Sequence, residues 1–264
     1  MLFLPELILL LGTLCLFLVS LGNPAIETLR KLTISISVLV LLTTLVCLKQ
    51  NGSLFFDSYQ VDFFSQLFKF LIAAATLAVL IFSERSPGIK SEVRAEYFVF
   101  LFTSVLGLMM LTSSVELLAI LVSLELSSFA VYIMVPMRST ADSDALQMES
   151  GIKYLLFGVL STGFMLFGMS YIFGLCGTTY LSEIAVQIEP LYYQPAAIIA
   201  IIMLMAGFFY KLAIFPFHFW VPDVYQGAAN ETTAFIAAVP KIAAVAVMIR
   251  IVSLISAEGQ TVVN

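Results

Sequence analysis

Charge, histidine and cysteine are all scarce in this chain of 264 residues. Only 11% of the residues are charged, whereas soluble domains carry about 25%. The three cysteines (Cys15, Cys47 and Cys176) form no CxxC pair, which excludes the usual zinc and iron–sulfur signatures. A single histidine excludes a bis-histidine haem site, and no basic stretch indicates nucleic-acid binding. We therefore expect neither metal-binding nor cofactor-binding residues on this chain.

Long hydrophobic runs dominate what remains, since hydrophobic residues make up 61% of the sequence. About 20 apolar residues cross a bilayer core of ~30 Å. The runs predict an all-α, polytopic membrane bundle of about eight transmembrane helices. The first run lacks a positively charged start and a cleavage site, so we interpret it as a retained span. The predicted spans cover residues 2–21, 32–48, 62–82, 96–113, 115–135, 151–174, 196–225 and 232–256.

Three of these spans carry signals about their connections or their shape. The fourth and fifth nearly fuse at Thr112–Ser114, which predicts a tight turn. The seventh is too long for one straight helix and contains Pro216, which removes a backbone donor and clashes with the preceding turn. We therefore expect helix 7 to be discontinuous, with the interruption near residues 212–216.

The distribution of lysine and arginine predicts the orientation of the chain, because cytoplasmic loops are enriched in both. Loops after even-numbered spans hold Lys49, and Arg250 lies near the end of the eighth span. This asymmetry predicts a multi-pass membrane protein whose N-terminus faces outward. Loops after odd-numbered spans hold Arg30, Lys31, Arg85, Lys90, Arg94, Arg138 and Lys153.

Three ionisable residues lie near the middle of predicted spans: Glu125, Lys211 and Lys241. An uncompensated charge there costs about 2.5–3.5 kcal/mol on insertion scales, so such residues usually serve ion movement. A pair of Glu125 and Lys211 would offset part of this cost and keep both groups charged. If the carboxylate moved away, Lys211 could pass its proton to Lys241. Water entering at the break beside Pro216 would carry protons to them.

For several of the ionisable residues, a structural interpretation stands beside the functional one. The buried glutamate and lysine could be only a structural clasp. His218 lies seven residues after the first buried lysine and could extend a relay or anchor the chain at the interface. Lys153 could join the relay or mark the cytoplasmic side, and Lys69 could snorkel to the outer surface. Glu6 and Glu116 lie near span ends and need no functional explanation.

Several sequence strings carry a family resemblance over essentially the whole length. They are LVSLELSSFAVYIM with Glu125, GIKYLLFGVLSTGFMLFGMSYIFGLCGTT with Lys153, and YKLAIFPFHFWVPDVYQGA followed by PKIAA. Together they resemble the subunit N family of bacterial NADH-quinone oxidoreductase, or respiratory complex I, among its antiporter-like membrane subunits. The K-x₄-PFHFW-x-PDVY-x-GA string is the most specific.

The resemblance implies a proton-translocating subunit driven by electron transfer in other subunits. It implies that Glu125 pairs with Lys211 on the broken helix, that Lys241 continues the path, and that His218 lies at the break. It also implies that NADH, flavin, iron–sulfur clusters and quinone bind elsewhere in the complex. The implied partners are other membrane-arm subunits, which include antiporter-like paralogues and small helical subunits.

The sequence departs from the family pattern in two places. A stretch reading AANETTAF replaces a Pro-Thr-rich turn before helix 8. Family members have about fourteen helices, whereas we expect helices 1–3 in residues 1–95 and the first five-helix repeat, helices 4–8, in residues 96–256, with the second repeat missing. We therefore expect a fragment, a truncation or a split subunit.

Two functions are alternatives to a proton-translocating subunit of the oxidoreductase. They are a subunit of an Mrp-type cation/proton antiporter and a structural role in the membrane arm.

Overall fold

A computed structural model describes residues 1–22, 24–83, 88–139, 144–191 and 193–255, and almost all of them are helical. The expected contribution of Arg85 and the predicted end of the last span at residue 256 lie outside these ranges. The α-helices in the described part are α1 Leu4–Ser20, α2 Ile26–Cys47, α3 Phe63–Phe82, α4 Arg94–Ser113, α5 Leu117–Met134, α6 Asp144–Cys176, α7 Leu181–Ile188, α8 Pro195–Leu212, α9 Trp220–Gly227 and α10 Asn230–Ile255.

The prediction of a polytopic helical bundle is confirmed. By length and composition, seven helices of the described residues can cross a membrane: α2 to α6, α8 and α10. The apolar helix α1 has 17 residues, the lower limit for a span. Helix α4 lies at the centre, with 72% of its most apolar window buried. Exposed leucines, isoleucines and phenylalanines on the outer helices present an apolar surface suited to lipid.

The predicted interruption of the seventh span is also confirmed. Helix α8 ends at Leu212 and α9 begins at Trp220, so the span predicted as 196–225 is two helices. Ala213 adopts a left-handed conformation with φ 58°. The amide of Ile214 donates to the carbonyl of Phe209 at 2.9 Å, and that of Ala213 to Tyr210 at 3.1 Å. These two bonds form a Schellman cap, which satisfies carbonyls that the break would otherwise leave unpaired.

Some predicted boundaries were wrong. Helix α2 begins at Ile26 rather than residue 32, and α6 begins at Asp144 rather than residue 151. Residues interpreted as loops form the amphipathic helix α7 and a hairpin of β1 Gly52–Leu54 with β2 Tyr59–Val61. The hairpin pairs Ser53 with Gln60 in antiparallel register. We call the end of the bundle that carries these strands the hairpin end.

The connections at the opposite end are tied together by backbone contacts. Ile89, before α4, forms a bridge with Arg138, after α5. The guanidinium of Arg138 also donates to the carbonyls of Gln226 and Ala228, at the junction of α9 and α10. This end therefore gathers the loops that carry most of the positive charge, while Arg250 lies towards the hairpin end beside Asp62.

Candidate functional site

Glu125 lies in the middle of α5 and is hydrogen-bonded to α6. The hydroxyl of Thr162, on α6, donates to its Oε1 at 2.7 Å. The carboxylate is half-buried. One turn on either side, Ser128 is buried and bonded to its own helix, and Leu121 packs against the core. The sequence placed Glu125 at mid-span correctly, but it gave no indication of Thr162.

Lys211 occupies the last turn of α8, one residue before the helix ends. Its side chain is only 4% exposed, and its Nζ has no hydrogen-bond partner among the described residues. Glu125 lies close enough for the two charges to interact, although the described structure shows no direct ion pair between them. Lys211 is therefore a buried lysine beside a helix break, and it interacts electrostatically with the Glu125 carboxylate without a direct ion pair.

An aromatic cluster surrounds this end of α8. The hydroxyl of Tyr210 donates to the carbonyl of Tyr154 at 2.8 Å, and the indole N–H of Trp220 donates to the carbonyl of Tyr210 at 3.1 Å. The rings of Tyr154 and Trp220 have centroids 4.8 Å apart. Tyr132 packs edge-on against Tyr154, with its hydroxyl near Tyr210. The cluster fixes α9 against α6 and α8 and thereby fixes the geometry of the break. Sequence reasoning missed this cluster, since its members come from four helices.

Lys153 lies in an ion-pair network that was not predicted from the sequence. Its ammonium is 2.6 Å from Oε1 of Glu149, one turn earlier on α6, and 2.9 Å from Oδ2 of Asp223 on α9. The lysine side chain is 38% exposed. These ion pairs therefore connect α9, the second half of the broken helix, to α6 at a solvent-exposed position.

His218 lies in the turn between α8 and α9, so it does not continue the helix that carries Lys211. Its ring centroid is 4.4 Å from that of Phe219 and 5.8 Å from that of Phe215. Its Nδ1 is buried and has no partner among the described residues. The relay geometry of a continuous helix is therefore absent, whereas the aromatic surroundings fit the alternative of an anchor.

Lys241 lies in α10, directly after Pro240, and is half-buried. Proline inside a helix cannot donate its backbone hydrogen bond, which frees the carbonyl of Ile236 one turn earlier. The described residues show no ion pair to the Lys241 ammonium. In the described structure Lys241 is therefore not brought together with Glu125 or another carboxylate as an ion pair.

Two buried ion pairs lie outside the predicted set. Lys69 does not snorkel: it is fully buried and lies 2.7 Å from Oε1 of an equally buried Glu6. Near the hairpin end, Arg250 lies 3.0 Å from Oδ2 of Asp62. Neither pair could be found from local spacing, because the partners are far apart in sequence.

These features define a multi-pass membrane protein in which a broken helix holds a buried lysine in electrostatic range of a carboxylate on another helix. Its residues 114–263 match the family model described as NADH:quinone oxidoreductase/Mrp antiporter, transmembrane region. The chain belongs to this family.

Relatives of known name agree with the family assignment. Over 98% of this chain, 46% of residues are identical to NADH-quinone oxidoreductase subunit N 2 of Opitutus terrae. Over 94% of the chain, 37% are identical to NADH-quinone oxidoreductase subunit N of Geobacillus kaustophilus. The chain spans about half the length of these relatives, 54% and 50% respectively.

Solved structures share the fold. A chain of respiratory complex I from Thermus thermophilus superposes with a TM-score of 0.78 at 28% identity, covering 93% of this chain and 52% of that one. A chain of the Mrp complex from Dietzia gives a TM-score of 0.79 at 15% identity, covering 95% and 48%. At such low identity, the second match concerns the fold alone.

Proposed function

We propose that this chain is part of a proton-translocating membrane subunit of an NADH-quinone oxidoreductase. One observation carries the proposal: Lys211 is buried beside a helix break, with no hydrogen-bond partner among the described residues and with Glu125 in electrostatic range. A buried charge that served only stability would be expected to have a close partner. Lysine rather than arginine suits proton transfer, since only lysine can give up its proton under protein conditions.

The relay that we propose runs from Glu125 through Lys211 to Lys241. When the Glu125 carboxylate is close, it stabilises the ammonium form of Lys211. Rotation of Glu125 away from Lys211 would leave that charge uncompensated in a medium of low dielectric constant, and the proton would pass on through water. The hydroxyl of Thr162 holds the carboxylate in one of its positions. The freed carbonyl before Pro240 offers water an acceptor near Lys241.

The remaining predicted residues act at the break. We propose that Lys153 sets the position of α9 through Asp223, so that α9 can move away from α6 when this contact breaks. His218 has a buried ring nitrogen free to hold water beside the interruption. Both roles are secondary to the glutamate and the two central lysines.

The wider setting of the chain follows from this assignment. We propose that the chain packs with other membrane-arm subunits, including antiporter-like paralogues, and that NADH, flavin, iron–sulfur clusters and quinone are bound by other subunits. We propose location in a bacterial inner membrane with an outward N-terminus, which would place the hairpin end outside. We also propose that residues 1–95 form a peripheral unit and residues 96–256 the antiporter-like repeat.

The direct test is Lys211→Ala in the intact complex, reconstituted in vesicles. We expect NADH-dependent electron transfer to continue or slow, and the number of protons moved per electron to fall. Lys49→Ala, which removes an exposed lysine in the turn after α2, is the matched control and should pump normally. An unchanged proton ratio in Lys211→Ala would exclude the relay.

A second candidate, a subunit of a cation/proton antiporter, rests on the family description and on the shared fold with the Mrp complex. The measurement that separates the two is sodium–proton exchange by the purified assembly in vesicles without NADH. The proposed function predicts no exchange. Exchange driven by a sodium gradient alone would favour the antiporter.

A further inference from the structure

A second cluster of ionisable groups lies at the hairpin end, among helices to which the relay assigns no role. Glu6 of α1 and Lys69 of α3 are both fully buried, and their charged atoms are 2.7 Å apart. The hydroxyl of Tyr59, in β2, donates to Glu6 Oε1 at 2.6 Å and accepts from Lys69 Nζ at 3.0 Å. Burial, and then the nearby Glu6 carboxylate, raises the pKa of Tyr59 well above its usual value. Its hydroxyl therefore keeps the proton that it donates.

Several polar atoms around this triad have no hydrogen-bond partner among the described residues. They are Oε2 of Glu6 and both amide atoms of Gln66, which is fully buried one turn before Lys69. A buried polar atom left unpaired costs about 1–3 kcal/mol. Gln66 alone presents one acceptor and two donor hydrogens, enough to hold water. Buried water normally occupies sites of this kind.

The unpaired amide lies on a polar stripe that leads to the surface. Asp62, Gln66 and Lys69 follow one another at helical spacing along the buried face of α3. Asp62 caps the start of α3 and borders a cavity of about 980 Å³ at the hairpin end. Arg250, paired with Asp62, and the exposed Ser182 line the same cavity. From Asp62 to Lys69 the helix rises only about 10 Å.

We propose that a water-filled branch leads from this cavity, past the Asp62–Arg250 pair and Gln66, to the Glu6–Lys69 pair. Water on the Gln66 amide occupies the gap between the two ion pairs. The branch gives the buried pair proton exchange with the aqueous phase at the hairpin end. The peripheral helices α1 and α3 thus contain a hydrated, protonatable site that is separate from the glutamate and lysines of the relay.

Cysteine accessibility tests this branch in the assembled complex without any need for NADH. On a background with Cys15, Cys47 and Cys176 changed to alanine, Gln66→Cys is treated with a small, charged, water-soluble methanethiosulfonate reagent. Ile72→Cys is the matched control, because it is equally buried on the same helix but lies in apolar surroundings. Ser182→Cys, in the cavity wall, is the positive control.

We expect Gln66→Cys and Ser182→Cys to be modified and Ile72→Cys to stay unmodified. Protection of Gln66→Cys, or equal labelling of Gln66→Cys and Ile72→Cys, would overturn the proposal. A second measurement needs no variant: a high-resolution map of the wild-type complex should contain water density between the Gln66 amide and Glu6 Oε2. A dry gap there would also overturn the proposal. Neither result depends on whether Lys211→Ala pumps, so this inference and the proposed function fail separately.

Discussion

Lys69 and Lys211 show two ways of burying an ammonium in the same bundle. Lys69 has a carboxylate and a phenol within hydrogen-bond distance, whereas Lys211 has only the more distant field of Glu125. In the first arrangement, direct partners compensate the charge. In the second, the energy of the charge depends on the position of the glutamate, because charges interact more strongly at low dielectric constant.

Removing one partner of the Glu6–Lys69 pair should destabilise the protein more than removing both partners. Glu6→Ala leaves an uncompensated buried ammonium, and we expect a loss of about 3–5 kcal/mol. The double variant Glu6→Leu with Lys69→Leu should lose much less, since apolar residues can replace a buried pair at little cost. Thermal unfolding of the purified assembly measures both. A double variant no more stable than Glu6→Ala would contradict this account.

Loss of the hydrogen bond from Thr162 to Glu125 should change the rate of proton-coupled turnover rather than the folding of the protein. Thr162→Val keeps the shape of the side chain but removes the donor. Because hydrogen bonds to charged groups contribute about 1.5–3 kcal/mol, we expect proton-coupled turnover to change by roughly tenfold or more. Thr103→Val, whose hydroxyl bonds only to its own helix at Val99, is the control and should be near wild type. Equal turnover in the two variants would remove Thr162 from the mechanism.

At the scale of elements, the end of α8 depends on one residue in a strained conformation. Ala213 has φ 58°, which costs about 1–2 kcal/mol for a residue with a Cβ. We expect Ala213→Gly to stabilise the protein by about 0.5–1 kcal/mol after the entropy of the unfolded chain is included. Ala206→Gly, inside the same helix, should destabilise it. Denaturation of the two variants side by side checks the cap, and a loss of stability in Ala213→Gly would contradict it.

Helices α6 and α8 approach each other closely at Gly168. A Cβ there would lie 2.7 Å from the carbonyl of Ala200 and would also collide with the amide of Leu204. Gly168→Ala should therefore push the helices apart and destabilise the protein by about 1–3 kcal/mol. Gly163→Ala is the matched control on the same helix, since a Cβ there meets nothing within 4 Å. Similar unfolding temperatures for the two variants would refute the close contact.

The helices marked by long apolar runs or by proline were predicted from the sequence. The short elements, whose sequence signals are weak, were not. Apolar runs and Pro216 predicted the spans and the broken helix, because bilayer thickness and proline chemistry act locally. The helix α7 has only eight residues and each hairpin strand has three, so neither gives a periodic signal of useful length. Helices α2 and α6 start before their apolar runs, because polar first turns extend beyond the apolar core.

The sequence shows candidate residues for the site but not their contacts. An ionisable residue at mid-span is visible in sequence, and this made Glu125, Lys211 and Lys241 candidates. Partners such as Thr162 and Asp223 come from other elements, and their ordinary polar character gives no signal. Glu6 appeared to need no explanation because it lies near a span end, yet tertiary packing buries it completely.

At the level of the whole molecule, the described residues include two separate groups of charged side chains. One contains Glu125 and Lys211, with the α8–α9 break and the tyrosine cluster beside them. The other contains Glu6, Lys69 and Gln66 and approaches the hairpin end through Asp62. The buried side of α4 lies within the core between the peripheral helices and α5.

In the proposed relay, Lys211 releases and rebinds a proton. The most direct measurement is the number of protons moved per electron by the reconstituted complex carrying Lys211→Arg, with Lys153→Arg as control. Arginine keeps the charge near Glu125 but does not give up its proton, whereas arginine at position 153 can still pair with Glu149 and Asp223. We predict that Lys211→Arg lowers the ratio as far as Lys211→Ala does, while Lys153→Arg keeps it. A wild-type ratio in Lys211→Arg would contradict the account.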